Sequence, residues 1–370
     1  MSSQTAARPS IVVLGGGYGG IKVAKPLDAV ADVTLVDPTD AFQHNVASWR
    51  ALVEPEWLER VFMPYERLLT HGRFVQDRAV EVDGRRVTLA SGDQLEPDYL
   101  VLATGSTYPF PAKSDHAESA TAQALVRDAH AALLEADRVL VVGAGPSGIE
   151  LAGEIACAFP SKHVTIVDGA PDVLTGPFDP ALRTELRRQL ADLGVELVLG
   201  SPLRELPAAA PATAAPIAVA TEAGTPLTAD IWFRAFGVAP QTGYLRGSLA
   251  AAIDAGGRVR VDEHLRVAGH DRVFALGDIA DADRPMAGMA GAQAELLAAN
   301  LEALITGQGE VTPYAAWPPV IAVPLGPEGG AGQLPGIEGV AGPETIAEVK
   351  GRAMLVEGNA ALFDAPVAVG

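Results

Sequence analysis

The chain has a single cysteine, Cys157, in 370 residues. One thiol excludes, within one chain, a disulfide framework, a Cys-x-x-Cys redox pair and a thiolate metal site. Aromatic residues are scarce, with four Trp and ten Phe, so Ala, Val and Leu must fill most of the interior. Positive charge is also short: 27 Lys and Arg face 46 Asp and Glu, a net charge of −19. That balance opposes electrostatic binding of nucleic acid or an anionic membrane surface. It suits solubility in a crowded or salty cytoplasm. No run of about 18 apolar residues is present to form a transmembrane segment. The start, Met1-Ser-Ser-Gln-Thr-Ala-Ala-Arg8, lacks an apolar signal core and a Met-Gly myristoylation start. Together these absences predict a cytoplasmic protein.

What the chain does have is glycine in two matched places. Ile11-Val-Val-Leu-Gly15-Gly-Gly17-Tyr-Gly-Gly20 and Val139-Leu-Val-Val-Gly143-Ala-Gly145-Pro-Ser-Gly148 lie 128 residues apart. Each reads as a strand, a tight turn and a helix start, and each fits G-x-G-x-x-G. In that loop the glycines give the turn, the close approach of a pyrophosphate to backbone, and helix–strand packing. Asp37 follows Gly15 by 22 residues and Asp168 follows Gly143 by 25, each at the end of a second strand. A carboxylate there accepts ribose hydroxyls. Asp168 also repels a 2′-phosphate, and Asp168-Gly-Ala-Pro brings no Arg beside it, so NADH is favoured over NADPH. Lys162 and His163, close by in sequence, weaken that preference. Two such units in one chain predict two bound dinucleotides, the requirement for a flavoenzyme that oxidises a nicotinamide.

The length predicts about two to three domains, and an apolar fraction of 48% is ample for buried cores. Residues 11–14 and 33–36 read as buried parallel strands joined by a helix. Residues 73–90 alternate and carry Asp83-Gly84, a hairpin signal. Residues 98–105 read as a strand ending in a glycine turn, followed by a proline-bearing crossover at 106–116. The pattern restarts with helix 119–136, strand 138–142, helix 147–158, strand 164–167 and helix 181–193. The Pro/Ala stretch 207–216 reads as a loop between strands. Ile231-Trp-Phe-Arg-Ala-Phe-Gly237 repeats the strand-then-glycine ending. Val273-Phe-Ala-Leu-Gly-Asp278 is another strand, followed by an Ala-rich helix from about Met286 to Ile305. The predicted fold is α/β, with two Rossmann-type dinucleotide-binding domains, one inserted in the other, plus a C-terminal appendage. The boundaries expected are 1–110 and 238–308 for the first unit, 111–237 for the second and 309–370 for the appendage.

These motifs in combination resemble a family. The glycine run at 15–20, Phe42-Gln-His-Asn45, Ala103-Thr-Gly-Ser-Thr107, Pro109-Phe-Pro-Ala-Lys113 and Val273-Phe-Ala-Leu-Gly-Asp278 look like the apoptosis-inducing-factor-like flavoproteins. Within these the chain is most similar to ferroptosis-suppressor-type NAD(P)H:quinone oxidoreductases, related to type II NADH dehydrogenases in the pyridine nucleotide-disulfide oxidoreductase superfamily. The resemblance runs from about residue 10 to 310. It implies non-covalent FAD, reduction by NADH with NADPH less favoured, and reoxidation by a small, quinone-like acceptor. His44 and Asn45 are then expected beside FAD and Lys113 near the flavin, with His44 and Lys113 in catalytic roles. Glu150 is expected near the nicotinamide, and Asp278 on the ribityl chain, with the helix start at Met286 aimed at the flavin. The full set assigned to cofactor binding is Gly15, Gly17, Tyr18, Gly19, Gly20, Asp37, His44, Asn45, Arg50, Val80, Ala103, Thr104, Gly105, Gly143, Gly145, Pro146, Ser147, Gly148, Glu150, Asp168, Gly237, Gly277, Asp278, Met286 and Ala287. No metal ligand is assigned.

Each transfer has a structural alternative. His44 can satisfy a loop, Lys113 and Glu150 can face solvent, and Asp278 can cap a helix. Cys157 reads as a small core residue. Relatives carry Cys-Thr-Gly or Ala-Thr-Gly where this chain has Ala235-Phe-Gly237, which puts a phenylalanine at the nicotinamide entry. The apolar stretch 317–325 of the appendage is expected to wall a flat aromatic acceptor, with sheet-edge cover or a homodimer contact as the alternative use. The rivals to the quinone reductase reading are a reductase of a small electron-carrier protein and an NADH-sensing flavoprotein holding a charge-transfer complex.

Overall fold

A computed structural model describes residues 8–363. The reading made on the first eight residues therefore falls almost wholly outside the described residues, as do the ends of the outer domain ranges. The elements that position the site, in chain order, are β1 (Ser10–Leu14), α1 (Tyr18–Leu27), β2 (Asp32–Asp37), α2 (Ser48–Val53), β3 (Arg73–Gln76), β4 (Tyr99–Leu102) and β5 (Ser106–Thr107). Next come α3 (Ser119–Glu135), β6 (Arg138–Val142), α4 (Pro146–Ala158), β7 (His163–Val167), α5 (Pro180–Asp192), β8 (Glu196–Val198), β9 (Ile231–Arg234) and β10 (Ala239–Pro240). The last are β11 (Val273–Ala275), α6 (Ala287–Thr306), β12 (Ile321–Leu325) and β13 (Gly329–Gln333).

Two parallel sheets result. The first has the order β11-β4-β1-β2-β3 and the second β8-β7-β6-β9. β1 and β6 are central, and their continuous runs of Ile, Val and Leu are buried on both faces, as parallel strands covered on two sides require. β5 pairs antiparallel with β10. Each follows a left-handed glycine just past the end of β4 or β9, Gly105 (φ 63) and Gly237 (φ 95). The carboxyl ends of the two sheets are joined through this crossing. The hairpin expected at Asp83-Gly84 forms between Ala79–Asp83 and Arg86–Leu89.

Residues 309–363 do not build a core of their own. Ile321, Val323, Leu325 and Ala331 are buried in the core of the second sheet with α4 and α5, whereas Met354, Val356, Ala360 and Phe363 are buried in that of the first. This corrects the expectation for 317–325. From Ile321 to Leu325 its apolar side chains are turned mainly into the protein, where β12–β13 packs on α4 and α5, so that part walls no open acceptor site; Trp317, 43% exposed, and Pro318 beside it remain at the surface. A continuous apolar run reads the same in sequence whether it faces a ligand or a core.

Gly153 lets β12 come this close. A methyl group there would lie 2.7 Å from Leu325 Cα and 2.8 Å from its Cδ2. Alanine is the better helix former by about 1 kcal/mol, but overpacking a core costs about 1–3 kcal/mol. Gly153→Ala is therefore expected to lower the unfolding free energy despite its helix propensity, and a denaturant titration showing equal or greater stability would refute this contact.

Candidate functional site

The two fingerprints fold into the same three-glycine arrangement. Gly15 (φ 98) and Gly143 (φ 119) are left-handed, and any Cβ on them would strike the backbone of Ala103 and Ala235. Gly20 and Gly148 press on the carbonyls of Gly15 and Gly143. The middle glycines differ: a Cβ on Gly17 or Gly145 would meet no protein atom within 4 Å. The open space lies at the position where a pyrophosphate approaches backbone.

Three helices start at these carboxyl edges, and all three starts are bare. α1, α4 and α6 have no side-chain cap and no acidic residue in the first turn; Pro146 opens α4, and Met286 precedes Ala287 at the start of α6. By contrast α5 is capped by Asp179. In a chain of net charge −19 the bare starts leave backbone N–H groups and partial positive charge for an anion. The strand-end acids sit beside them. Asp37 accepts from Gly16 N at 2.6 Å and Thr39 N at 2.9 Å. Asp168 accepts from Ala144 N at 2.6 Å and Ala170 N at 2.7 Å. Burial pushes the Asp37 pKa up, opposed by bonds from Thr39 and Gly16. Lys162 and His163 are remote from Asp168, since β7 runs from His163 towards it over five residues, about 16 Å of strand. They do not form a 2′-phosphate pocket there.

At the crossing, Lys113 Nζ donates to Ser106 O at 2.7 Å, and Ser106 Oγ donates to Asp278 Oδ2 at 2.6 Å. Burial lowers the Lys113 pKa, against the charges of Asp278 and Asp115. Gly277 is left-handed, and its N–H donates to Gln293 on α6. Thr104 Oγ1 lies 3.0 Å from the Gln241 carbonyl and 3.0 Å from Tyr244 Oη. Ser147 Oγ accepts from Trp49 Nε1 at 3.1 Å. Asn45 Oδ1 is buried with no partner among the described residues; it is an orphan acceptor next to Val46, whose N–H donates to Tyr18 Oη at the start of α1. Open space at Gly17, the bare α1, Asp37 and this orphan fit an adenine dinucleotide carrying flavin. Gly145, the bare α4 and Asp168 fit a second dinucleotide.

Several expected binding residues are otherwise engaged. Arg50 forms a two-point ion pair with Glu154, Nε to Oε2 at 2.6 Å and Nη2 to Oε1 at 2.8 Å, and also reaches Gly351 O. Its Nε and Nη2 are both used inside the protein. Glu150 is buried against Lys350 at 2.7 Å. Burial raises its pKa, opposed by the lysine. The Val80 side chain is 42% exposed at a bulge. His44 is fully buried. Its Nε2 lies 2.7 Å from Met354 O, which assigns the ring proton to Nε2, and its Nδ1 accepts from Tyr18 Oη at 3.1 Å. Both ring nitrogens are thus engaged inside the protein, with Asn359 Nδ2 a further 3.4 Å from Nδ1. Lys350, Glu154, Ser106, Trp49 and Gln293 were not singled out by the sequence. Their partners lie up to 200 residues away, and no local pattern marks them.

The family model for pyridine nucleotide-disulphide oxidoreductases matches residues 9–307. The chain belongs to this family. It is 33% identical over 337 residues to human ferroptosis suppressor protein 1, covering 88% of each chain. Its fold is similar to that of NDH2 from Plasmodium falciparum, solved in complex with NADH (TM-score 0.74, 14% identity, 92% of this chain and 94% of that one). It is similar also to the sulfide:quinone oxidoreductase of Aquifex aeolicus (TM-score 0.72, 16% identity, 98% and 93%). The disulphide of the family's description has no counterpart here, because Cys157 is alone. Within this family frame the β5–β10 crossing joins the two dinucleotide units. Among the described residues no helix is long and apolar enough to cross a membrane.

The buried His44 gives a pH signature. Burial, the largest cause, lowers its pKa from 6.5 to about 4; the Met354 bond opposes this and the Lys350 charge adds to it. Between those two values the unfolded chain binds the proton and the folded one does not. The stability contributed is complete above the unfolded value and is lost as pH falls towards the folded one, at up to about 1.4 kcal/mol per pH unit. His44→Gln keeps a donor for Met354 O and removes the titration. Its unfolding free energy is expected to fall less steeply than the wild type's between about pH 6.5 and about pH 4.5; parallel curves would show that His44 is not held neutral.

Proposed function

We propose that this protein is an FAD-dependent NADH oxidoreductase that passes electrons to a small, quinone-like acceptor. The observation that carries the reading is the pair of open glycine cradles, each with a bare helix start and a strand-end acid, set on two sheets whose carboxyl ends are joined. When bound, the flavin supplies acceptance of a hydride from the nicotinamide and onward release of electrons. The chain's own residues bind and orient. The Gly15–Gly20 loop, Asp37 and Asp278 hold the first dinucleotide, and the Gly143–Gly148 loop and Asp168 hold the second. Lys113 brings a cation to the crossing through Ser106. This reading divides the chain into an FAD unit at 1–110 and 238–308, an NADH unit at 111–237 and a C-terminal part at 309–370.

A quinone-like acceptor is supported by the family resemblance and by charge. With one cysteine there is no dithiol relay, so electrons leave to a diffusing molecule. A neutral, flat acceptor avoids repulsion by a net charge of −19. The same acidity supports work in the cytoplasm on a water-soluble acceptor.

The purified protein is expected to be yellow and to reduce a short-chain quinone with NADH. Colourless protein that takes up no FAD on reconstitution would remove the reading. Gly145→Ala tests the second cradle, because its Cβ meets no protein atom. The fold and bound flavin are expected to survive while NADH affinity drops about tenfold or more, ~1.4 kcal/mol. Asp168→Ser is expected to narrow the preference for NADH over NADPH in kcat/KM. Equal specificity for the two coenzymes in the wild type would refute the role given to Asp168.

A further inference from the structure

One cation at the second cradle keeps a buried donor unpaired among the described residues. Arg234 is the last residue of β9, in register with Val142, the residue before Gly143. Its guanidinium lies over the ring of Phe236, with Cζ 4.6 Å from the ring centroid. Its Nε is buried and has no hydrogen-bond partner among the described residues. The backbone is shaped around it: Gly237 is left-handed (φ 95), and a Cβ there would stand 2.6 Å from Arg234 Nη2. The turn that carries this pair touches the fingerprint, since a Cβ on Gly143 would lie 2.7 Å from Ala235 O and one on Gly148 would lie 3.1 Å from Ala235 Cβ. Phe236 is 37% exposed, so the pair stands at the rim rather than in the core.

A buried guanidinium N–H without an acceptor is costly. A cation–π contact fixes the position of the charge but leaves its in-plane donors unused. The missing partner is an anion or an oxygen acceptor that arrives beside Gly143. On the opposite side of β6, at the end of β7, stands Asp168. A dinucleotide whose adenosine ribose meets Asp168 and whose phosphates cross the Gly143–Gly148 loop extends towards β9. We propose that Arg234, held in place by Phe236, binds the diphosphate of the nicotinamide dinucleotide. This rests on the function proposed above and adds to it a specific charged contact and the reason a phenylalanine occupies position 236: it is the platform that fixes the guanidinium where no carboxylate does.

The test separates diphosphate from nicotinamide. ADP-ribose carries the diphosphate and no nicotinamide, and it is redox-inert. A phosphate-free N-benzyl dihydronicotinamide carries the hydride donor and no diphosphate. Calorimetric titration of the flavin-loaded protein with ADP-ribose is expected to show about tenfold weaker binding in Arg234→Gln, the loss of a hydrogen bond to a charged group. NADH affinity, followed by anaerobic bleaching of the flavin, is expected to weaken in parallel. The rate of bleaching by the N-benzyl donor, which has no diphosphate contact to lose, is expected to stay within about twofold of wild type. Phe236→Leu, which keeps the apolar bulk and removes the ring face, is expected to shift ADP-ribose binding in the same direction by a smaller factor. Unchanged ADP-ribose affinity in Arg234→Gln overturns the proposal. So does an equal loss with the N-benzyl donor, which would place Arg234 on the nicotinamide. Wild-type protein that binds neither ADP-ribose nor NADH would overturn the proposed function itself, and this inference with it.

Discussion

The buried ion pair between Arg50 and Glu154 is the contact on which the rest of the arrangement depends. Both side chains are almost wholly removed from water, 3% and 2% exposed. The pair is worth forming only because its geometry is two-pointed and because Gly351 O takes a further guanidinium proton; removing one partner of such a pair typically costs about 3–5 kcal/mol. Three distant parts of the chain meet at this point. Arg50 comes from α2 in the first unit, Glu154 from α4 in the second and Gly351 from the C-terminal part. One turn earlier on α4, Glu150 meets Lys350, so two successive turns of one helix are neutralised by cations from opposite ends of the chain. α4 is also the helix that begins at Gly145. Its packing on all sides fixes where its bare N-terminus points.

Legibility in the sequence follows from the range of each interaction. The sheets, helices and glycine loops were readable because their signals are local: a run of β-branched and aliphatic residues, a G-x-G-x-x-G and an acid about two dozen residues on. Asp37 and Asp168 accept backbone N–H groups of the fingerprint loops, the geometry their spacing implies. The C-terminal part was not readable in the same way. Residues 354–363 return to His44 through a backbone carbonyl, following two consecutive left-handed residues, Met354 and Leu355 (φ 49 and 60). Neither is a glycine or asparagine, so composition gives no warning. Arg50 carried no signal that its charge would be consumed by a glutamate 104 residues away. Motif position placed it near a cofactor; the folded chain spends it on holding α2 to α4.

The distribution of charge resolves an apparent conflict. A chain of net charge −19 is a poor host for anionic dinucleotides if charge acts at long range. At physiological ionic strength it does not, because screening limits exposed charges to about 8 Å. What a bound diphosphate meets is decided by the groups within contact. There the acids are absent from the first turns of α1, α4 and α6. The two strand-end acids are already turned onto backbone donors. Lys113 stands at the crossing and Arg234 at the rim of the second loop. The acidic excess is carried elsewhere. Bulk acidity therefore sets solubility and the repulsion of wrong partners, while backbone dipoles and a few held cations set what the carboxyl edges accept. These are separate properties of one sequence, and only the first can be read from its composition.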